Sequence, residues 1–588
     1  MSFLSRGARG KVVRVFGDLV SVAVSDDVLP LMGTRGTYVR IETKKNRELL
    51  GIVSNVNLYD ELYRASSGRI SVVESYSDIA LTRNEIIVSL LGTIVRRDGE
   101  IGVERRIDVV PSPGDTVYLM DGNDLKKIFS AGDIRVGVLT TMRDVEVRLN
   151  LNELATKHAA ILAMTGYGKS NTLGVMLVRM LKNFQHPRIL LIDTHSEYVQ
   201  LGGKNSPIAD RTIVYAPIGK FKEFLQNEDI PAENLEVPYW LLTLEEWYSI
   251  LNLDPRATRQ RRVFREALRG VKGNNLNAPI YFDLDTLRSY IEESNNDDLI
   301  EKFEDAISLE EYSFIFRPEK SLEIMEDESI GDLKEKMRRV MSYVTRPIIR
   351  DGLKIISLGG LSSEVQNAVV SMLLRTMFRL AVESKLGGRP VASIVAVEEA
   401  HVYAPERYNT AARSIIEKIA KEGRKFGLGL ILISQRPREL SQTVLAQCGT
   451  LIALRTVNPQ DQNHIMRSLE DVSTMVSSSL SGLGKGEAII SGPAVPIPCV
   501  VQVDYFGWVF EKEFGRRMGL GGKDVNFRSE WSREISSEVV DQILSRVLSE
   551  EILETQAYRS SSRRTRSKRR RSQRSEQEGL ATLSEFLG

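Results

Sequence analysis

The sequence predicts an α/β fold in which a small β-barrel precedes a parallel sheet flanked by helices. Two patterns carry this prediction. Short strand-like runs fill residues 1–145, and from residue 146 onward apolar strand-like runs alternate with long helical stretches. The length of 588 residues also exceeds what one hydrophobic core accommodates. We therefore expect several structural units.

The N-terminal region, residues 1–145, consists of short β segments separated by turn signals. Valines alternate with small residues at 20–24 after a Gly17-Asp18 turn, and Pro111 to Asp115 form a second turn signal. Further strands are expected at Thr37–Glu42, Leu49–Asn57, Ile86–Val95 and Thr116–Met120. Several short strands with no helix of any length predict a small barrel.

The second region, residues 146–505, has the alternation that is typical of a parallel α/β sheet. Its expected strands are His158–Ala163, Ile189–Asp193, Arg211–Tyr215, Leu353–Ser357, Ser393–Glu398, Gly429–Ser434 and Thr450–Arg455. The alternation lapses over residues 234–341, which read as charged amphipathic helices. This stretch is interpreted as a helical insertion within the α/β core.

The C-terminal region leaves the sheet after Tyr505. Residues 506–557 predict a helical extension, in which Ile535, Val539 and Ile543 mark one helix face. Residues 558–588 predict a basic, disordered tail, because nine Lys or Arg residues and no acid lie between Arg559 and Arg574. The sequence is compatible with two roles for this tail, binding of DNA and maintenance of solubility.

Composition excludes several classes of protein. The net charge of +1 hides an acidic body and a basic tail, so any nucleic-acid site in the body must be local. Two distant cysteines, Cys448 and Cys499, form neither a CxxC pair nor a disulfide framework. No apolar run reaches the roughly 18 residues that a membrane span requires. A cytoplasmic protein that does not enter the membrane is expected.

The segment from Ala163 to Ser170, AMTGYGKS, fits the Walker A pattern with Ala in place of the first Gly. Gly166 and Gly168 allow the backbone to curl around phosphate, Lys169 would reach the β- and γ-phosphates, and the Ser170 hydroxyl would bind Mg²⁺. An apolar strand precedes the segment and a helix follows it, so that the helix N-terminus faces the anion. The sequence thus predicts a RecA-like P-loop ATPase core that uses ATP and Mg²⁺.

Two further strand ends carry polar side chains. Glu398 and Glu399 follow an apolar strand, and we assign Glu398 to the metal and Glu399 to the general base. Gln435 follows the next strand and has an amide suited to sensing the γ-phosphate. His195 and Tyr198, after a further strand, are equally explained by hydrogen bonding within their loop.

Five segments occur in a specific order: HAAILAMTGYGKSN, LLIDTHSEY, VAVEEAHVY, KEGRKFGLGLILISQRP and GEAIISG. Together they resemble the HerA family of hexameric DNA translocases, within the HerA–FtsK group of P-loop ATPases. The resemblance covers about residues 1–510 and implies that the N-terminal domain is like the family's HAS barrel. It also implies nucleotide contacts from Thr165, Gly166, Tyr167, Gly168, Lys169, Ser170 and Asn171.

The resemblance further implies a homo-hexameric ring with ATP at each subunit interface. Arg424 stands at the family's position for the arginine that a neighbouring subunit supplies, and Lys157 stands where a second basic residue is usually arginine. The implied substrate is double-stranded DNA, and the implied partner is a NurA-type nuclease in DNA end resection.

Several alternatives remain open at this stage. A DNA-packaging or conjugative pump and an ATP-gated DNA clamp use similar motifs. The basic residues Arg256, Arg259, Arg261, Arg262, Arg265 and Arg269 form either a DNA-binding face or a solvated helix face. Residues Thr582 to Leu587 resemble a sliding-clamp-binding peptide, although Leu580 replaces the usual glutamine.

Overall fold

A computed structural model describes residues 9–60, 82–97, 100–204, 206, 208–217, 222, 225–226, 229–468, 480–506, 529, 531–542 and 544–545. The chain forms two compact units. The first comprises Met1–Pro187, Ala396–His401 and Gly429–Ser532, and the second comprises Arg188–Val395, Val402–Leu428 and Arg533–Gly588. The basic tail, the clamp-like peptide and much of the predicted C-terminal helix lie outside the described residues.

The N-terminal part of the first unit is the predicted barrel. Its strands and helices are β1 (Arg9–Phe16), β2 (Leu19–Val24), α1 (Leu29–Met32), β3 (Tyr38–Glu42), β4 (Glu48–Asp60), β5 (Thr82–Arg97), β6 (Glu100–Glu104), β7 (Thr116–Leu119) and α2 (Gly122–Phe129). Six strands follow the order β2-β1-β7-β3-β4-β5, a pairing of β2 with β5 closes the ring, and β6 is added to β5. Val20, Val22, Val39 and Ile41 are fully buried in its core.

One expectation for this region is wrong. A helix, α2, does occur, with Asp121 at its N-cap accepting a hydrogen bond from the Asn123 N–H at 2.7 Å. An Asp before a short amphipathic run is a normal helix start. The turn-like residues Asp121 and Gly122 obscured it.

The rest of the first unit contains a mixed sheet and the P-loop. Its elements are β8 (Ile134–Leu139), β9 (Glu146–Leu149), α3 (Leu151–Thr156), β10 (Ala159–Leu162), α4 (Lys169–Asn183), β16 (Leu428–Ser434), α16 (Gln442–Leu445), β17 (Thr450–Leu454), α17 (Pro459–Arg467), β18 (Glu487–Ser491) and β19 (Cys499–Val503). The strand order is β16-β10-β17-β18-β19-β8-β9. β10 pairs in parallel with β16 and β17, and the later pairs are antiparallel.

The second unit contains parallel strands and most of the helices. Its strands are β11 (Arg188–Asp193), β12 (Thr212–Ala216), β13 (Ala232–Asn234) and β14 (Gly352–Ser357), in the order β13-β12-β14-β11. The helices of the predicted insertion are α5 (Leu244–Ile250), α6 (Thr258–Lys272), α7 (Leu284–Glu292), α8 (Asp297–Ser308), α9 (Ser313–Phe316), α10 (Glu319–Glu326) and α11 (Leu333–Val344). Trp247 on α5 contacts the rings of Phe264 on α6, Phe303 on α8 and Phe316 on α9.

The remaining elements complete the predicted α/β alternation. They are α12 (Arg346–Ile349), α13 (Ser363–Leu386), β15 (Ser393–Val397), α14 (Ala400–Tyr403) and α15 (Ala411–Phe426), with 3-10 turns at Val199–Gly202, Ala209–Arg211, Tyr239–Leu241, Glu310–Tyr312 and Pro437–Glu439. All seven strands expected between residues 146 and 505 are present. The chain passes from the second unit to the first within β15, so that Glu398 and Glu399 belong to the unit that holds the P-loop.

Candidate nucleotide-binding site

The P-loop begins where β10 ends and finishes in the first turn of α4. Gly166 and Gly168 have φ angles of 83° and 105°, a region that favours glycine because it has no Cβ. Gly168 is also the N-cap of α4 and provides no side-chain acceptor for the helix N–H groups. The helix N-terminus is therefore suited to an anion such as phosphate.

Lys169 lies in a buried charged cluster. Its ammonium contacts Glu399 Oε1 and lies 4.0 Å from Glu398 Oε1. Lys169 is 9% exposed, Glu399 2% and Glu398 0%. The two buried carboxyl groups place oxygen atoms, the ligands that Mg²⁺ prefers, close to the Lys169 ammonium.

The backbone of Glu399 is unusual. Its φ angle is 46°, in the left-handed region that non-glycine residues rarely adopt. Such strain persists where surrounding contacts fix the conformation, and it is frequent at functional sites. Here it turns the chain sharply between β15 and α14.

His401 lies beside this carboxylate. Its Nδ1 is 3.2 Å from Glu399 Oε2 and 3.1 Å from Ser434 Oγ. Burial lowers the pKa of His401 below its ordinary value, although the Glu399 carboxylate opposes this shift. The ring links two strand ends of the site. Sequence reasoning assigned no role to His401, and its only signal was its place two positions after Glu399.

Gln435 lies at the end of β16, next to the P-loop. Its Oε1 accepts a hydrogen bond from the Thr165 hydroxyl at 2.5 Å. This contact uses the amide oxygen and leaves the NH₂ group to face a ligand. Thr165 and Gln435, expected from separate motifs, are thus brought together.

The other loop residues have distinct surroundings. Tyr167 stacks under the Arg455 guanidinium, whose Cζ is 5.1 Å from the ring centre. The Asn171 side chain binds the backbone of residues 504–506, because its Nδ2 donates to Asp504 O at 2.9 Å and its Oδ1 accepts from Phe506 N at 2.8 Å. Its side chain is therefore turned to the C-terminal strand end. Any nucleotide contact from Asn171 comes from its backbone N–H.

The remaining expected residues are more peripheral. Lys157 is 42% exposed and pairs with Glu153 at 2.9 Å. Arg424 is exposed on α15, in the second unit. In the loop after β11, His195 is exposed and Tyr198 is buried, while the fully buried Asp193 accepts the N–H groups of Glu197 and Tyr198 at 2.9 Å.

Comparison with known proteins decides the family. Residues 134–377 match the model described as Helicase HerA, central domain, and residues 368–584 match Helicase HerA-like C-terminal. A probable helicase of Methanocaldococcus jannaschii is 31% identical, over 85% of this chain and 90% of the relative. The chain belongs to the HerA family. With its Walker A loop, it is an ATP-hydrolysing P-loop enzyme of that family.

Other relatives, named HerA, are similar in sequence to nearly the whole chain. The DNA double-strand break repair helicase HerA of Sulfurisphaera tokodaii is 29% identical over 88% of this chain and 97% of the relative. Among solved structures, VirB4 of Thermoanaerobacter pseudethanolicus is 16% identical with a TM-score of 0.43, over 65% of this chain and 99% of that chain. That score is too low to support an argument about function. Across the part of the chain that is described, no helix combines the length and apolar character that a membrane span needs.

Proposed function

We propose that this HerA-family chain is an ATP-driven double-stranded DNA translocase and helicase that works as a homo-hexameric ring in the cytoplasm. The observation that carries the proposal is the contact of Lys169 with Glu399, next to the buried Glu398. It joins the expected phosphate-binding and base residues in one site. Relatives named as DNA double-strand break repair helicases support DNA as the substrate.

Lys169 and the loop backbone bind the phosphates of ATP. The Lys169 ammonium now contacts Glu399 and must exchange this carboxylate for phosphate oxygens. That exchange releases Glu399 to accept a proton from the attacking water. Phosphate binding and activation of the base are thereby linked through one cation.

Ser170 and Glu398 are the proposed Mg²⁺ residues. Both offer oxygen donors, which Mg²⁺ prefers, and Glu398 is fully buried. The described residues form no group of three or more His, Cys, Asp or Glu side chains arranged around a metal, which suits an ion held largely through substrate phosphates. When bound, Mg²⁺ neutralises charge on the phosphate oxygens.

Three residues complete the proposed site. Gln435, oriented by Thr165, directs its NH₂ group to the γ-phosphate. Arg424 of a neighbouring subunit stabilises charge on the transferring phosphoryl group. Lys157 supplies a second positive charge without the planar fork of arginine.

A NurA-type nuclease is the proposed partner, in resection of DNA ends during double-strand break repair. The test is displacement of a third strand from a linear triplex DNA substrate, with wild type, Lys169→Ala and the surface variant Lys204→Ala, with and without the nuclease. ATP-dependent displacement by wild type and Lys204→Ala but not by Lys169→Ala is expected. DNA binding without displacement by wild type would instead indicate a clamp that does not travel.

A further inference from the structure

An exposed loop joins α14 to α15 in the second unit. We refer to residues 405–409 as the 405–409 loop. Its tip, Arg407, Tyr408 and Asn409, is exposed, and Tyr408 shows 62% of its surface to solvent. Tyr408 therefore presents an aromatic ring and a hydroxyl group to solvent, a combination that is frequent at binding interfaces.

The loop is held firmly although its tip is exposed. Arg413 Nη1 lies 2.6 Å from Pro405 O, 3.1 Å from Glu406 O and 3.0 Å from Tyr408 O. The Arg413 side chain is only 17% exposed, and its Nε donates to Glu417 at 2.9 Å. A charged side chain that binds three loop carbonyls fixes the path of the backbone.

A second anchor closes the base of the loop. The Thr410 hydroxyl donates to Tyr403 O at 2.5 Å and accepts from Arg413 N at 3.0 Å as the N-cap of α15. The hydroxyl of Tyr403, which is fully buried, lies 2.9 Å from the Thr194 hydroxyl. The backbone on both sides of the tip is therefore fixed.

We propose that the 405–409 loop is a DNA-contacting element that grips the sugar–phosphate backbone of the translocated duplex. The Arg407 guanidinium and the Asn409 amide are donors for phosphate oxygens, and the Tyr408 hydroxyl adds a third. This inference rests on the proposed function, because it locates the grip of that motor.

An exposed arginine elsewhere in the second unit provides a matched control. Arg389 follows α13 and is exposed. Arg389→Ala removes the same charge as Arg407→Ala from a different exposed surface. If exposed arginines act only through net charge, the two variants will weaken DNA binding equally.

The experiment measures Kd for a fluorescent blunt DNA duplex across a salt series, on the full-length chain. The variants are Arg407→Ala, Tyr408→Ala, Tyr408→Phe and Arg389→Ala, with thermal unfolding as the folding control. Arg407→Ala should weaken binding about tenfold, as for loss of a hydrogen bond to a charged group. It should also reduce the slope of log Kd against log salt by roughly 0.9 for each phosphate that the variant no longer binds. Tyr408→Ala should weaken binding more than Tyr408→Phe does.

The outcomes separate the two proposals. If wild type binds the duplex and the tip variants bind as tightly as Arg389→Ala, the 405–409 loop is not the grip. If the tip variants keep DNA affinity but lose binding of the nuclease, the loop is a protein interface and the inference is overturned. If wild type itself does not bind duplex DNA, the proposed function fails and this inference fails with it.

Discussion

At the scale of single residues, the buried cluster of Lys169, Glu398 and Glu399 is the centre of the proposed site. The Walker A pattern predicted Lys169, and the strand before the acidic pair predicted the two glutamates. Neither pattern predicted the φ of 46° at Glu399 or the position of His401 beside Ser434. These depend on how three distant strand ends meet, which local patterns do not encode.

Removing the cation of this cluster should destabilise the fold. Lys169→Ala leaves the buried carboxylates of Glu398 and Glu399 without their ammonium, and breaking a buried pair from one side costs about 3 kcal/mol. Chemical denaturation of wild type and variant measures this loss in the free energy of unfolding. Lys204→Ala, which removes an exposed pair with Asp229, should change it by about 0.5 kcal/mol or less. Equal losses in the free energy of unfolding for Lys169→Ala and Lys204→Ala would mean that the buried cluster does not stabilise the fold.

A second buried lysine should make stability depend on pH. Burial, reinforced by Arg188, lowers the pKa of Lys354 to about 7. Between the ordinary lysine pKa of about 10.4 and about 7, the unfolded chain binds a proton that the folded chain does not, so stability falls as pH falls and levels off below about 7. Denaturation at several pH values should show this slope in wild type and its loss in Lys354→Met. If the pH dependence of the free energy of unfolding persisted in Lys354→Met but was lost in the exposed control Lys320→Met, Lys354 would not be its cause.

At the scale of elements, seven parallel strands of the α/β core were predicted from the sequence, whereas the antiparallel strands β8, β9, β18 and β19 were not. Each predicted strand of the α/β core has a continuous apolar run bounded by turn or polar residues, such as Ala159–Leu162. β8, by contrast, lies within the predicted barrel region but pairs with β19 in the other sheet. The sequence of a strand predicts that the segment will be a strand. Which strand it pairs with depends on contacts with residues far along the chain. The GEAIISG segment, which contains β18, contributed to the family resemblance without being read as a strand.

The contact between α4 and the end of the sheet offers a test at this scale. A Cβ at Gly174 would lie 2.8 Å from the Phe506 ring, so Gly174→Ala should destabilise the protein by about 1–3 kcal/mol through overpacking. In a Phe506→Ala background the same change should stabilise by about 1 kcal/mol, the helix propensity difference between Ala and Gly. Denaturation of the four proteins in this double-mutant cycle measures both values. The same sign in both backgrounds would show that the ring does not pack on α4.

At the scale of the whole molecule, family membership covers nearly all of the chain, whereas ring assembly is a proposal. Arg424 lies on the exposed side of α15, consistent with a residue that acts on a neighbouring subunit. Sequence motifs assign the residue type and its place in the helix. They do not identify which residues of a neighbouring subunit Arg424 would contact, because an interface depends on the surfaces of both subunits.

Mixing inactive subunits tests whether Arg424 acts on a neighbour. Lys169→Ala lacks a working P-loop, and Arg424→Ala lacks the proposed interface arginine, so each pure protein should hydrolyse little ATP. In rings coassembled from equal amounts, about one interface in four pairs an intact P-loop with an intact arginine. ATPase activity of the mixture should therefore exceed that of both parents. No recovery in coassembled rings would place Arg424 outside the neighbour's site.

The most direct test of the central claim is the ATPase rate with and without linear double-stranded DNA, for wild type, Glu399→Gln and the exposed control Glu311→Gln. The account predicts that DNA stimulates hydrolysis by wild type and Glu311→Gln, and that Glu399→Gln binds nucleotide but loses hydrolysis by about 100-fold or more. Nucleotide and DNA binding by wild type without DNA-dependent turnover, or full activity in Glu399→Gln, would contradict it.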